Sequence, residues 1–253
     1  MLRKGRRYHT PWLVYVYFDA MSLKFSLLLC VLLIGCSHKE PTETVKSNAT
    51  SKPTTAPVAA NVDRSLFDGK TLTNWQTAEF GAHGEPYVKD GSIILPVGDP
   101  MSGVTWTGAP IPKINYEVTY ECQRLDGSDF FGTLTFPVNN SFASLVIGGW
   151  GGGVCGISSL DGDDAARNST TTYKNFENKH WYSIRLRVTP NRLEAWLENE
   201  QIVNIDTSGK IISTRGEVDL NKPFGFASYQ STAAIRNVKI HPVDGPASPK
   251  PDF

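Results

Sequence analysis

Three stretches of the chain carry side chains with chemical potential. Along residues 114–124 the alternation places Glu117, Thr119, Glu121 and Gln123 in one row, opposite Tyr116, Val118, Tyr120 and Cys122. A carboxylate in such a row serves as general acid or base where the sheet face is hollow, and merely meets water where it is not. Asp129 opens the following segment, with Thr133 and Thr135 farther along it. The second stretch, residues 148–156, holds six glycines around Trp150. Glycine lets backbone approach a ligand closely and an indole offers a sugar ring an apolar face, although a wide bulged turn has the same composition. The third stretch is Asp161-Gly162-Asp163-Asp164, followed by Asn168-Ser169-Thr170. Three carboxylates in four residues offer oxygen ligands to Ca2+, but the spacing is not that of an EF-hand and Asp-Gly-Asp is also ordinary turn chemistry. No metal site or other cofactor is expected.

Several motifs are missing. There is no G-x-S-x-G elbow, no H-E-x-x-H and no glycine-rich loop ending in Lys-Ser/Thr, so serine-hydrolase, zinc-protease and nucleotide-triphosphate chemistries drop out. His83, His180 and His241 lie far apart in sequence, which argues against a histidine-built metal site. An E-x-D-x-x-E strand, which would pair two carboxylates for ordinary glycoside hydrolysis, is absent.

Strands must position these groups. From Asp63 onward the apolar pattern has period two, with no window of helical length repeating at i, i+3, i+4 and i+7. Asp90-Gly91 between two short apolar runs predicts a tight hairpin. Residues 114–124, 130–138, 141–147, 181–188 and 233–240 read as strands, and 192–197 with 201–205 as a hairpin in which Asn199 takes the positive φ. Many short strands separated by turn residues imply an all-β sandwich or jelly roll.

The 253 residues carry 25 basic and 25 acidic groups; beyond residue 35 the balance is 20 against 24, which gives no basic field for nucleic acid. Residues 21–36 run from Lys24 through an apolar stretch to Leu33-Ile34-Gly35-Cys36, a secretory leader resembling a bacterial lipobox, with Met21 as an alternative start. The expectation is an exported lipoprotein, lipidated at Cys36 and sorted to the outer membrane, whose partner there is the lipid bilayer; an uncleaved anchor is the other reading. Residues 37–62, rich in Thr, Ser, Pro and Ala and without aromatics, read as a disordered tether with a reach of roughly 28 Å. Residues 63–243 form one domain and 244–253 a Pro-rich tail. Of the four cysteines, Cys122 and Cys155 remain in the domain, as a disulfide or as two buried thiols.

The segments Ser65-Leu66-Phe67-Asp68-Gly69-Lys70 with Trp75, Val88-Lys89-Asp90-Gly91, His180-Trp181-Tyr182 and Ile235-Arg236-Asn237-Val238-Lys239 resemble, in order, the 3-keto-disaccharide hydrolase family. The resemblance covers nearly all of residues 63–243 and implies a concanavalin A-like jelly roll of two antiparallel sheets. It also implies a carbohydrate ligand, and elimination at a 3-keto sugar followed by hydration. In its terms Glu121 and Asp161 are the acid and base, Gln123, Asp129 and Asn168 contact substrate, and Trp150 is the platform, with Glu121 in a hollow that the Trp150 and Asp161 loop overhangs. Trp181 and Arg236 are expected to hold the sandwich together. The chain departs from the family where Gln123 stands at the usual arginine and where residues 130–136 lose a second one. A carbohydrate-binding or adhesion module without catalysis, and a structural lipoprotein, are the alternatives.

Overall fold

The computed structural model describes residues 63–243. The leader with Cys36, the 37–62 tether and the 244–253 tail lie outside the described residues. Within the described residues there are two antiparallel sheets, one 3-10 turn at Gly216–Asn221 and no α-helix. The eight-stranded sheet runs Glu200–Asp206, Arg192–Leu197, Tyr182–Thr189, Tyr116–Gly127, Ser231–Pro242, Ser92–Leu95 and Tyr87–Lys89, with Arg64–Ser65 also pairing to Ser231–Pro242. The seven-stranded sheet runs Thr172–Tyr173, Val154–Ser158, Ser141–Gly149, Thr133–Val138, Gly225–Tyr229, Met101–Trp106 and Trp75–Thr77. This is the jelly-roll sandwich that the period-two pattern implied.

Alternation sets the core. Tyr116, Val118, Tyr120 and Cys122 from one sheet meet Leu134, Phe136, Leu145, Ile147 and Ile157 from the other, all at most 2 % exposed. Two phenols stitch the layers together: Tyr116 Oη donates to the Pro137 carbonyl at 2.5 Å and Tyr120 Oη to the Gly132 carbonyl at 2.9 Å. Each buried hydroxyl thus has the partner that burial demands. Cys122 and Cys155 face the core from opposite sheets as free thiols. Burial raises both, Cys155 to about 11, so both stay protonated.

Local turns follow side-chain chemistry with one exception. Asp90 and Gly91 both take positive φ, as a tight hairpin requires. In the hairpin after Leu197, however, Glu198 rather than Asn199 adopts φ 52°. The Glu198 carboxylate holds that conformation by accepting from the backbone N–H and hydroxyl of Ser183 at 2.9 Å each.

Candidate functional site

The outer face of the seven-stranded sheet carries a cavity of about 260 Å³. Thr133, Ser144, Val146 and Ser158 belong to strands whose intervening residues fill the core, so they point the other way and form the floor, each at most 5 % exposed. Met101, Phe130, Val218 and Tyr229 give apolar walls. Asp129, Trp150, Arg215 and Glu217 complete it, and the last three are far more open: Trp150 is 43 % exposed, and the Arg215 and Glu217 side chains 40 % and 52 %. The charged and aromatic groups therefore mark the mouth and the hydroxyls the floor.

The wall bearing Arg215 and Glu217 comes from the long connection 207–224, which crosses the outer face as a bar. Several attachments hold it, three of them along its length. Ser159 and Ser213 exchange backbone hydrogen bonds at 2.6 and 3.1 Å, Ser141 Oγ donates to the Ile212 carbonyl at 2.6 Å, and Asn221 Nδ2 donates to the carbonyls of Val104 and Phe226, both at 3.1 Å. Asn221 is fully buried, and two glycines make room for it. A Cβ at Gly103 or Gly225 would come within 3.1 or 2.9 Å of its amide nitrogen and still closer to strand backbone.

Trp150 projects from a turn in which its own φ is 50° and Gly148, Gly151 and Gly152 are also positive. Asp129 fixes that turn. Its Oδ2 accepts from Gly151 N–H at 2.7 Å and its Oδ1 from Phe130 N–H at 2.8 Å. Arg215 lies 5.7 Å from the Trp150 ring centroid and reaches Glu217 at 2.5 Å and Asp164 at 3.1 Å. Hydrogen bonding to Arg215 holds the Glu217 carboxyl below its ordinary range, so it is ionised at neutral pH. Burial opposes charge on Asp164, but Arg167 and Arg215 outweigh it and its carboxyl is lowered as well.

The structure separates the residues that the sequence grouped. Asp129 and Trp150 line the cavity; Glu121, Gln123, Asp161 and Asn168 do not. Glu121 points outward from the eight-stranded sheet, over a broad open depression shared with Thr119, Ser183 and Asn237. There it accepts from Arg236 Nε at 2.7 Å and from Asn237 Nδ2 at 2.7 Å. Burial pushes its carboxyl up, but these two donors outweigh that and hold it low. The register between the strands bearing Glu121 and Arg236 shifts between Arg236 and Lys239, where Asn237 takes φ 55°, so Glu121 clasps a β-bulge. Arg236 stacks 3.9 Å above the Trp181 ring, which extends the clasp. Gln123 sits on that same sheet, opposite Ala234 and 8 % exposed.

Asp161 is a turn clip. It accepts from Ile211 N–H at 2.8 Å and from Lys210 Nζ at 3.3 Å, anchoring the start of the bar. Asn168 spends its amide on the carbonyls of Ile157, Asp163 and Asp164, and its Oδ1 accepts from Thr170. The expected shared hollow is thus corrected: the cavity belongs to the other sheet, and Asp161 and Asn168 build its surroundings. Nor do the Asp161, Asp163 and Asp164 carboxylates converge on a calcium position; among the described residues no three acidic, His or Cys side chains cluster for a metal ion.

Sequence reasoning missed Arg215, Glu217 and Ser144, and noted Thr133 without giving it a role. One signal was present, because a connection as long as 207–224 without regular strands is uncommon unless functional.

No curated protein matches the chain. Among solved structures it is similar to an apo Crh5 transglycosylase, 8% identical over 75% of this chain and 87% of that one with a TM-score of 0.51. It is also similar to the carbohydrate-binding module CBM66 from Bacillus subtilis, at 12% identity over 66% and 95% with a TM-score of 0.44. A third similarity is to the exoplasmic domain of VIP36 in its Ca2+/Man3GlcNAc-bound form, at 12% over 73% and 90% with a TM-score of 0.45. At 8% identity the first of these shows a shared fold and nothing beyond it. The family model for the 3-keto-alpha-glucoside-1,2-lyase-like domain matches residues 63–241, most of the chain and nearly all of the described sandwich, and the chain belongs to that family.

Proposed function

We propose that the cavity on the seven-stranded sheet cleaves 3-keto-glycosides, with Glu217 as the proton-transferring group. The observation that carries this reading is an ionised carboxylate, a guanidinium and an open indole gathered at the mouth of one cavity, in a chain of this family. A ketone at C3 acidifies the C2 proton. Glu217 takes that proton, the electrons pass into the C2–C3 enolate, and Arg215 stabilises the charge growing on the C3 oxygen. Collapse of the enolate forms the C1–C2 double bond and breaks the bond from C1 to the leaving oxygen, which recovers the proton from Glu217. Water then adds its oxygen to C1 and a proton to C2, giving the free 3-keto sugar. One carboxylate suffices, and Trp150 carries the ring.

The test is release of both products from a 3-keto-disaccharide by the full chain, with Glu217→Gln expected to bind substrate yet turn it over at least a hundredfold more slowly. Undiminished turnover in that variant removes Glu217 from the role. The chemistry draws on no metal, so turnover should survive a chelator; a loss restored by calcium would revive the calcium alternative.

A second reading is a carbohydrate-binding module. It is favoured by the prior commitments of both cavity carboxylates, Asp129 to backbone N–H groups and Glu217 to Arg215. Saturable glycan binding without turnover, weakened by Trp150→Ala, would establish it. For the cell, we propose export and anchoring in the outer membrane through lipid on Cys36; labelled fatty acid should enter the wild-type chain and not Cys36→Ser.

A further inference from the structure

Most hydroxyls around the cavity floor have partners. Thr135 and Ser144 hydrogen-bond to each other at 3.0 Å, and Ser158 Oγ lies 3.4 Å from Ser159 Oγ. Thr133 differs. It is 1 % exposed and lines the cavity between apolar walls, yet its Oγ1 has no hydrogen-bond partner in the protein. A buried hydroxyl without a partner carries a desolvation penalty that an isosteric valine would not. Within the protein the hydroxyl is unpaired, and a partner for it, water or ligand, must come through the cavity.

We infer that Thr133 recognises the ligand, its hydroxyl bonding to a sugar hydroxyl on the ring edge farthest from the mouth, so that the cavity admits one terminal sugar unit end-on. This rests on the catalytic reading of the cavity and adds the orientation and extent of the substrate. The floor is neutral, three hydroxyls and Val146, whereas Arg215, Glu217 and Trp150 gather at the exposed mouth. A 3-keto sugar has the matching asymmetry. Its reactive C1–C2–C3 edge needs the charged groups, and its C4–C6 edge presents neutral hydroxyls. With that far edge against the sheet, no further unit can be attached there. About 260 Å³ is smaller than the cavities that enclose drug-sized ligands, consistent with one ring rather than a chain.

The experiment is calorimetric titration of the full chain with methyl 3-keto-α-glucopyranoside, with Glu217→Gln present throughout so that binding is read without turnover, alongside thermal melting of the same variants; wild type in this titration means Thr133 unchanged in that background. Thr133→Val should weaken binding about tenfold while leaving the melting temperature unchanged or higher, because it removes an unsatisfied polar group and little volume. Thr133→Ser, which keeps the hydroxyl, should bind within about twofold of wild type. Should the valine variant misfold, the serine variant together with Thr133→Ala decides the same question. Equal affinity in wild type and Thr133→Val overturns the assignment of Thr133 alone. Absence of binding by wild type overturns it together with the catalytic reading.

Discussion

The two outer faces of the sandwich carry the same three residue types in contact. On the eight-stranded sheet Arg236 stacks on Trp181 at 3.9 Å and pairs with Glu121 at 2.6 Å. On the seven-stranded sheet Arg215 lies 5.7 Å from Trp150 and pairs with Glu217 at 2.5 Å. The first trio locks a bulge between two neighbouring strands. The second hangs on a bar that crosses the sheet, so it overlooks a cavity. Guanidinium, carboxylate and indole make a clasp on an open sheet face and a candidate catalytic group at the mouth of a cavity; backbone relief, not residue chemistry, decides which.

The largest test of this contrast swaps the carboxylates. Glu217→Gln should lower turnover by roughly 10² to 10⁴, whereas Glu121→Gln should keep it within about twofold and lose about 1–2 kcal/mol in denaturant unfolding, since it weakens hydrogen bonds to a charged, half-buried group. Comparable losses of turnover would dissolve the distinction. The indoles come next. Trp150→Ala should weaken sugar binding roughly tenfold with little change in melting, and Trp181→Ala should do the reverse, through lost stacking with Arg236.

Acid sharpens the comparison further. Asp164 and Glu217 both have lowered folded-state values, so the stability they contribute is present above the ordinary carboxylate range and disappears as pH falls through their depressed values. Melting curves should therefore drop steeply below about pH 4, and Asp164→Asn should flatten that slope while lowering the neutral-pH plateau. Smallest is Asp161→Asn. Its side chain is half-exposed, so loosening the clip on Ile211 should lower the denaturant midpoint only slightly and change turnover less than threefold.

Much of the framework was legible. The alternation through Tyr116–Gly127 reported its buried and wet faces, the Asp90-Gly91 turn reported a hairpin, and the glycines around Trp150 reported an indole held out from the sheet. Two central strands were not legible. Met101–Trp106 and Gly225–Tyr229 carry Gly103 and Gly225 where an alternating side chain would have revealed them, and those glycines exist to seat Asn221. The site was hidden for a related reason. Period-two reasoning says that Glu121 and Thr133 both leave the core, but it cannot say which exterior is roofed, because the roof is made by contacts between segments distant in the chain, Asn221 with Val104 across 117 residues among them.

That separation has a consequence for synthesis. Every floor residue is in the chain by Ser158, yet Arg215, Glu217 and the Asn221 bolt emerge only later, just ahead of the strand Gly225–Tyr229 that completes the seat. A nascent polypeptide halted between these points has a ledge of hydroxyls open to solvent and no enclosure. Competence to hold a ligand is thus among the last properties this polypeptide acquires as it leaves the ribosome.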